Sequence, residues 1–278
     1  MGQPESHLRV IDVDKALCRK LLDTEQSIPR DSMFEDDLFE STCEDIANRN
    51  EARVIQDIGR LIVPAPEELA RRGATHLKHL IQNVDESWIK SIPLVNGPRP
   101  QPDFSVGFKP SAFTADQLKK LNPYVGDWQT TSRIVATDEM YFPFLTSEVK
   151  CGNEALNIAD RQNAHSASVA ANAVVEIYRT VSRQDELHGK ILTFSVSHDH
   201  RAVRIYGHYV LINGKDTSFY RHLIREFSIT DQDGKEKWTT YTFTLNVYDE
   251  FRGIHHDRIT SAADQLPDPE VFLVEPFS

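Results

Sequence analysis

Apolar residues recur at three- and four-residue steps through Phe39, Cys43, Ile46, Ala47, Val54, Ile58, Leu61 and Ile62, which predicts helix over residues 35–62. Pro64 and Pro66 close that pattern. A second helix is predicted over residues 66–84 on a stripe of Leu69, Leu77, Leu80 and Ile81, and a short one over residues 13–22. After the stiff Gly97–Pro102 lead, residues 103–108 read as a strand, residues 115–121 as a helix, and residues 134–137 and 141–150 as strands. Asn153 suits the N-cap of a long helix from residue 154 to about 181, whose stripe of Leu156, Ala159, Ala167, Ala170, Val174, Ile177 and Val181 is rich in alanine and implies close packing. Strands follow at 191–196, 203–212 and 218–229, then a helix from about residue 237 to 251 that continues towards Ala263. The order predicts an α/β fold (mixed α+β) as one domain over residues 35–265, with an N-terminal arm at 1–34 and an extended tail at 266–278.

Composition narrows the class. Hydrophobic content of 40% and charged content of 26% are ordinary for a globular chain. No apolar run is long enough to span a bilayer, and the first residues lack the order of a secretory leader. An intracellular protein of nucleus or cytoplasm, with no membrane partner, is therefore expected. Three unevenly spaced cysteines argue against a disulfide framework and fit a reducing compartment. The net charge of -11 counts against non-specific coating of nucleic acid, although charge is segregated: residues 31–51 hold eight acids, while residues 201–225 are net basic.

Glu148-Val149-Lys150 closes the predicted strand 141–150, and side chains one residue apart on a strand point the same way. Asp103 opens another strand 45 positions earlier. Two carboxylates and a lysine are the smallest set that holds a divalent metal and orients water at a phosphodiester. By themselves, the same residues also fit a solvated Glu/Lys pair and a turn-capping Asp.

Residues 101–108, residues 142–152 and Asn157–Asn163, in the order helix, strand, strand, long helix, carry a resemblance to the PD-(D/E)XK nuclease superfamily, in particular to nuclease-like domain proteins found mainly in fungi. Supporting stretches are His198–Arg201 with Val203–Gly207, and Lys237–Thr239 through Val247–Asp249; the likeness spans roughly residues 35–265. It implies a restriction-endonuclease-like central mixed sheet flanked by helices and a Mg²⁺- or Mn²⁺-dependent nuclease, acting on DNA in preference to RNA. Asp103, Glu148 and the Val149 carbonyl would ligate the metal, and Lys150 would orient the attacking water or neutralise the phosphate. Many members of this class are dimers, so a homodimer is one option, although no dimer surface is legible here.

A further acid often comes from the helix before the first strand, and Glu51 holds that position on a face with Ala47, Val54, Ile55 and Ile58. Gln162 matches a polar position near the scissile phosphate, and Arg161 is placed to hold phosphate. Arg204 and Tyr206 share a strand face with His208, and Tyr220 shares one with His222; paired, they predict a basic, aromatic surface that His200 and Arg201 extend. His198 and His200 invite a zinc reading but lack further ligands at useful spacing. The competing class is an inactive module of the same fold that binds nucleic acid or a protein partner, as an effector or toxin would, because fold alone does not fix function.

Overall fold

The computed structural model describes residues 9–269 except 31, 48, 93, 95, 96, 127–130 and 152–155. The Asn153 cap and the first turn predicted at residue 154 lie outside the described residues. Helices α1 (Asp12–Asp23), α2 (Phe39–Ile46), α3 (Glu51–Val54), α4 (Arg60–Ile62), α5 (Pro66–Arg71), α6 (Ala115–Val125), α7 (Leu156–Thr180), α8 (Asp231–Gly234), α9 (Thr239–Asn246) and α10 (Arg252–Ala263) flank a six-stranded sheet. Its strands are β1 (Leu80–Val84), β2 (Phe104–Phe108), β3 (Tyr141–Val149), β4 (Ile191–His198), β5 (Ala202–Asn213) and β6 (Asp216–Ser228), in that spatial order. All neighbours pair antiparallel except β3 and β4, which are parallel and joined by the α7 crossover. The molecule is thus mixed α+β, as its sequence pattern predicts.

Two differences from the sequence pattern have local causes. The helix expected over 66–84 stops at Arg71, because Gly73 adopts a φ of 121°. Leu80–Val84 then pairs with β2 as an edge strand, since the Leu80 and Ile81 spacing fits either period. Residues 134–137 form no strand; Val135 makes only an isolated bridge to Tyr141. The 35–62 pattern is also broken up, into α2, α3 and α4 with a π-turn at Ile55–Gly59.

The two sheet faces are unlike. One is apolar: Phe194 meets Phe243 and Phe251 edge-on at ring-centroid distances of 5.5 and 4.7 Å, which packs the α9–α10 segment against it. The other lies under α7, and the sequence there is polar: Ser105, Thr146, Thr193, Ser195, Ser197 and His208 are all buried. Asn163 of α7 fastens this layer. It accepts from Thr146 Oγ1 at 2.8 Å and donates to the Val196 carbonyl at 2.9 Å and to Ser197 Oγ at 3.0 Å. The α7 helix is thereby registered on β3 and β4, the strands that present the candidate site.

The region expected as an arm is partly built into this core. Leu21 of α1 is fully buried, Asn246 Nδ2 donates to the Leu21 and Thr24 carbonyls, and Asp14 accepts from Ile191 N at 2.5 Å. Cys18, Cys43 and Cys151 are free; burial pushes the thiols of Cys18 and Cys43 up to about 12 and about 11, which makes them inert. Among the described residues no helix is long and apolar enough to cross a membrane.

Candidate functional site

Register decides whether Asp103 and Glu148 meet. Phe104 of β2 pairs with Ser147 of β3, so one further pair sets Asp103 across from Glu148. Opposed side chains of an antiparallel pair stand about 5 Å apart at Cβ. The strand ends are also fixed directly: Val149 N donates to Asp103 Oδ2 at 2.6 Å. Lys150 leaves β3 with its N–H on the His198 carbonyl at 2.9 Å. Its ammonium then donates to Glu51 Oε1 at 3.0 Å and to the Val149 carbonyl at 2.8 Å. Asn50 caps the helix that carries Glu51, accepting from Arg53 N at 3.1 Å. The structure therefore brings Asp103, Glu148, Lys150 and Glu51 together at one end of the sheet.

Electrostatics here are unbalanced. Glu148 is 3% exposed, and its carboxylate makes no hydrogen bond among the described residues. Burial, and then the charge of Asp103, push its carboxyl up to about 8. Burial also pushes Asp103 up to about 6, against the opposing pull of the Val149 N–H and of Lys150. Burial pulls the Lys150 ammonium down, but its bond to Glu51 and the three carboxylates around it outweigh that and hold it above the usual lysine range. At neutral pH the pair thus keeps one proton that a nearby cation would displace.

Asp85 is a fourth acid, and it went unread in the sequence because residues 66–84 looked helical. It follows β1 at a φ of 50°, donates its N–H to the Asp103 carbonyl at 3.0 Å, and accepts from Gln101 Nε2 at 2.9 Å. Its charge raises both Asp103 and Glu148.

Whether a divalent ion fits can be judged from the donors. Among the described residues no three His, Cys, Asp or Glu side chains form a ready metal cage. Glu51 commits Oε1 to Lys150, and the Val149 carbonyl expected as a ligand already accepts from the same ammonium, which leaves it a second lone pair. Two opposed carboxylates nevertheless suit Mg²⁺ or Mn²⁺. Such hard ions commonly take one or two carboxylates and keep several waters, and a cation would offset the burial and mutual repulsion that hold a proton on Glu148 and Asp103.

The remaining expected contacts divide. His200 and Arg201 lie in the β4–β5 turn beside His198, at the Lys150 end of the sheet, with the turn held by Asp199 Oδ1 accepting from Arg201 N at 2.7 Å and Ala202 N at 2.8 Å. His198 itself is buried, its imidazole pushed down to about 4 by burial, with Nδ1 at 3.2 Å from the Asp199 carbonyl. Gln162 and Arg161 are exposed on α7, and the side chain that turns to the sheet is Asn163. The stripe spacing of Leu156, Ala159, Ala167 and Ala170 already selects position 163 over 162.

The basic, aromatic surface expected from Arg204 and Tyr206 does not form. Pairing runs Glu148 to Ser197, Ser197 to Arg204 and Arg204 to Glu226, so Arg204 stands in the row of the site, about 10 Å away across two strands. Its charge is spent within the fold, on Asp160 Oδ2 at 2.9 Å and Glu226 Oε1 at 2.8 Å. Tyr206 is 8% exposed, with its hydroxyl on Asp160 Oδ2 at 3.1 Å and Arg221 over its ring. His208 is buried with Nε2 at 2.8 Å from Ser195 Oγ. Because His208 pairs with Arg221 and Tyr209 with Tyr220, Tyr220 and His222 occupy the opposite face from Tyr206 and His208.

No curated protein and no solved structure matches the chain. A family model described as a domain of unknown function, DUF7924, matches residues 38–263. That stretch contains all six strands and Glu51, Asp85, Asp103, Glu148 and Lys150. The chain belongs to the DUF7924 family.

Proposed function

We propose that this protein is a divalent-metal-dependent nuclease that hydrolyses phosphodiester bonds, in DNA in preference to RNA. The observation that carries the reading is the pairing of Asp103 with Glu148 at the ends of β2 and β3, with the Lys150 ammonium held beside them by Glu51 and the Val149 carbonyl. The likeness of this order of residues to the PD-(D/E)XK pattern supports it independently of the geometry.

Asp103 and Glu148 would hold Mg²⁺ or Mn²⁺. Bound there, the ion supplies charge stabilisation at the phosphoryl oxygens and acidifies its water. Val149 N–H fixes the Asp103 carboxylate, so its direction does not depend on the ion. Lys150 has three ammonium protons and spends two within the fold, leaving one to hold an attacking water or a phosphate oxygen. Water oxygen bonds to phosphorus as the bond to the leaving oxygen breaks, and the water's proton ends on the leaving alcohol. Asp85, on the same rim, adds negative charge that a bound cation offsets.

The test is a cleavage assay on single-stranded and duplex DNA and RNA with Mg²⁺, Mn²⁺ or EDTA. Cleavage should require metal, and Asp103→Ala and Lys150→Ala should each slow it by about 10²-fold or more. Undiminished cleavage in both variants would assign the activity elsewhere. One observation favours a second reading: the site residues already satisfy one another, Asp103 with Val149 N–H and Lys150 with Glu51. A non-catalytic module that uses this end of the sheet for partner binding would show metal-independent binding and no cleavage.

A further inference from the structure

The sequence places positive charge on β5 and β6, where the fold pairs Arg204 with Asp160 and Glu226 and Arg225 with Glu236, and ties Arg221 to the Asp160 carbonyl. Free positive charge collects instead in a groove of about 1250 Å³ between the α3–α5 segment and the edge of β1. Four arginines line it, Arg30, Arg60, Arg71 and Arg72, against two glutamates, Glu67 and Glu68. Glu68 Oε1 binds Arg72 at 2.8 Å, while Glu67 Oε1 accepts from Gln82 N at 3.0 Å and keeps its charge, which leaves three guanidinium groups against one carboxylate. Arg30, Arg60 and Arg71 are exposed and make no ion pair or hydrogen bond through their guanidinium groups among the described residues. In a chain of net charge -11, three uncommitted guanidinium groups facing one groove are a local reversal of sign.

Position gives the groove its meaning. Its walls include Ala52, Val84 and Phe104, the chain neighbours of Glu51, Asp85 and Asp103. Adjacent strand residues point to opposite faces, so the groove lies on the Phe104 face of the sheet, next to the chain segments that carry these acids and across the sheet from the Asp103 side chain. Its two aromatic wall residues, Phe104 and Tyr241, are 1% and 6% exposed, so they offer no platform for base stacking. Guanidinium groups recognise phosphate as planar, permanently charged forks.

We infer that this arginine groove binds the phosphodiester backbone of a nucleic-acid strand, without base stacking, and holds it at the sheet edge, from which the strand passes round the end of β1 and β2 to the carboxylate pair. The inference deepens the nuclease proposal and rests on it for the strand's destination, while binding in the groove is measurable without cleavage. The decisive variant is Arg30→Ala/Arg60→Ala/Arg71→Ala, whose three exposed side chains should leave the thermal midpoint unchanged.

Anisotropy of fluorescein-labelled 20-mers, single-stranded and duplex, is read in EDTA across a salt series. The wild type should bind several unrelated sequences alike, and the triple variant at least tenfold more weakly. Its slope of log affinity against log salt should fall by about 2 for a single strand and by about 3 for a duplex, the counterions of three phosphate contacts. Failure of the wild type to bind, an unchanged affinity or slope in the variant, or equal binding of a polyglutamate tracer overturns the inference. If binding follows the arginines but no metal supports cleavage, the nuclease proposal fails and the groove stands. If cleavage follows Asp103 and Lys150 while the triple variant binds as the wild type does, the groove fails and the nuclease stands.

Discussion

Replacing Glu148 by Gln removes a charge that the metal-free fold holds at a loss, so the variant should be more stable than the wild type. A carboxyl raised from 4.5 to about 8 binds its proton more tightly in the folded chain than in the unfolded one. The resulting destabilisation is absent below pH 4.5, grows as pH rises, and is complete above about pH 8. At 1.36 kcal/mol per pH unit the full interval corresponds to about 5 kcal/mol, an upper value because water entry and local relaxation soften it. Gln has the shape of the protonated acid and keeps a neutral group opposite Asp103. Urea unfolding in EDTA should therefore give Glu148→Gln a gain of at least about 2 kcal/mol over the wild type at pH 9, and close to none at pH 4. Saturating Mn²⁺ should narrow or reverse the gain, since an ion at 100 times its Kd stabilises the wild type by about 2.7 kcal/mol. Equal stability of the two proteins at pH 9 in EDTA would refute the argument that Glu148 is a charge kept for a cation.

Asn163→Ala removes three buried hydrogen bonds between α7, β3 and β4 and should cost about 3 kcal/mol, seen as a thermal midpoint lower by about 5–10 °C; a change under 1 °C would show that α7 does not depend on this amide. Arg204→Ala strands the 3%-exposed Asp160 and should cost about 3 kcal/mol in urea while leaving oligonucleotide affinity within about twofold. Weaker affinity without lost stability would return Arg204 to the binding surface. His255→Phe should raise the midpoint by a few degrees, because both ring nitrogens are buried without partners among the described residues and the ring stacks between Phe251 and Phe108 at 5.2 and 6.1 Å; a lower midpoint would mean that the nitrogens are solvated.

Local patterns carried most of the elements into view. Strand alternation and turn residues located β2 through β6, and the periodic stripe located α7, because these segments bury a face whose period is written in their own residues. Leu80–Val84 was hidden because two adjacent apolar residues fit a helix as well as an edge strand. The candidate site was legible as residue types, Asp103, Glu148 and Lys150, but not as a place. Its geometry comes from the β2–β3 register and from Glu51 reaching Lys150 across 99 positions of chain. Arg204 and Tyr206 show the opposite limit. A basic, aromatic strand face looks the same in sequence whether it meets solvent or a buried Asp160, and only the packing of α7 distinguishes the two. The arginine groove had no sequence signal at all, since Arg30, Arg60 and Arg71 come from three separate segments.

The central claim, that Asp103 and Glu148 are a cation site and not a structural acid pair, is tested most directly by calorimetric titration of Mn²⁺ at pH 7 in buffers of different ionisation enthalpy. With Glu148 raised to about 8 it holds its proton at that pH, and binding must expel it. The account predicts saturable binding with release of about one proton per chain, lost in Glu148→Gln and in Asp103→Asn. No saturable binding, or binding that is unchanged in both variants, would contradict it.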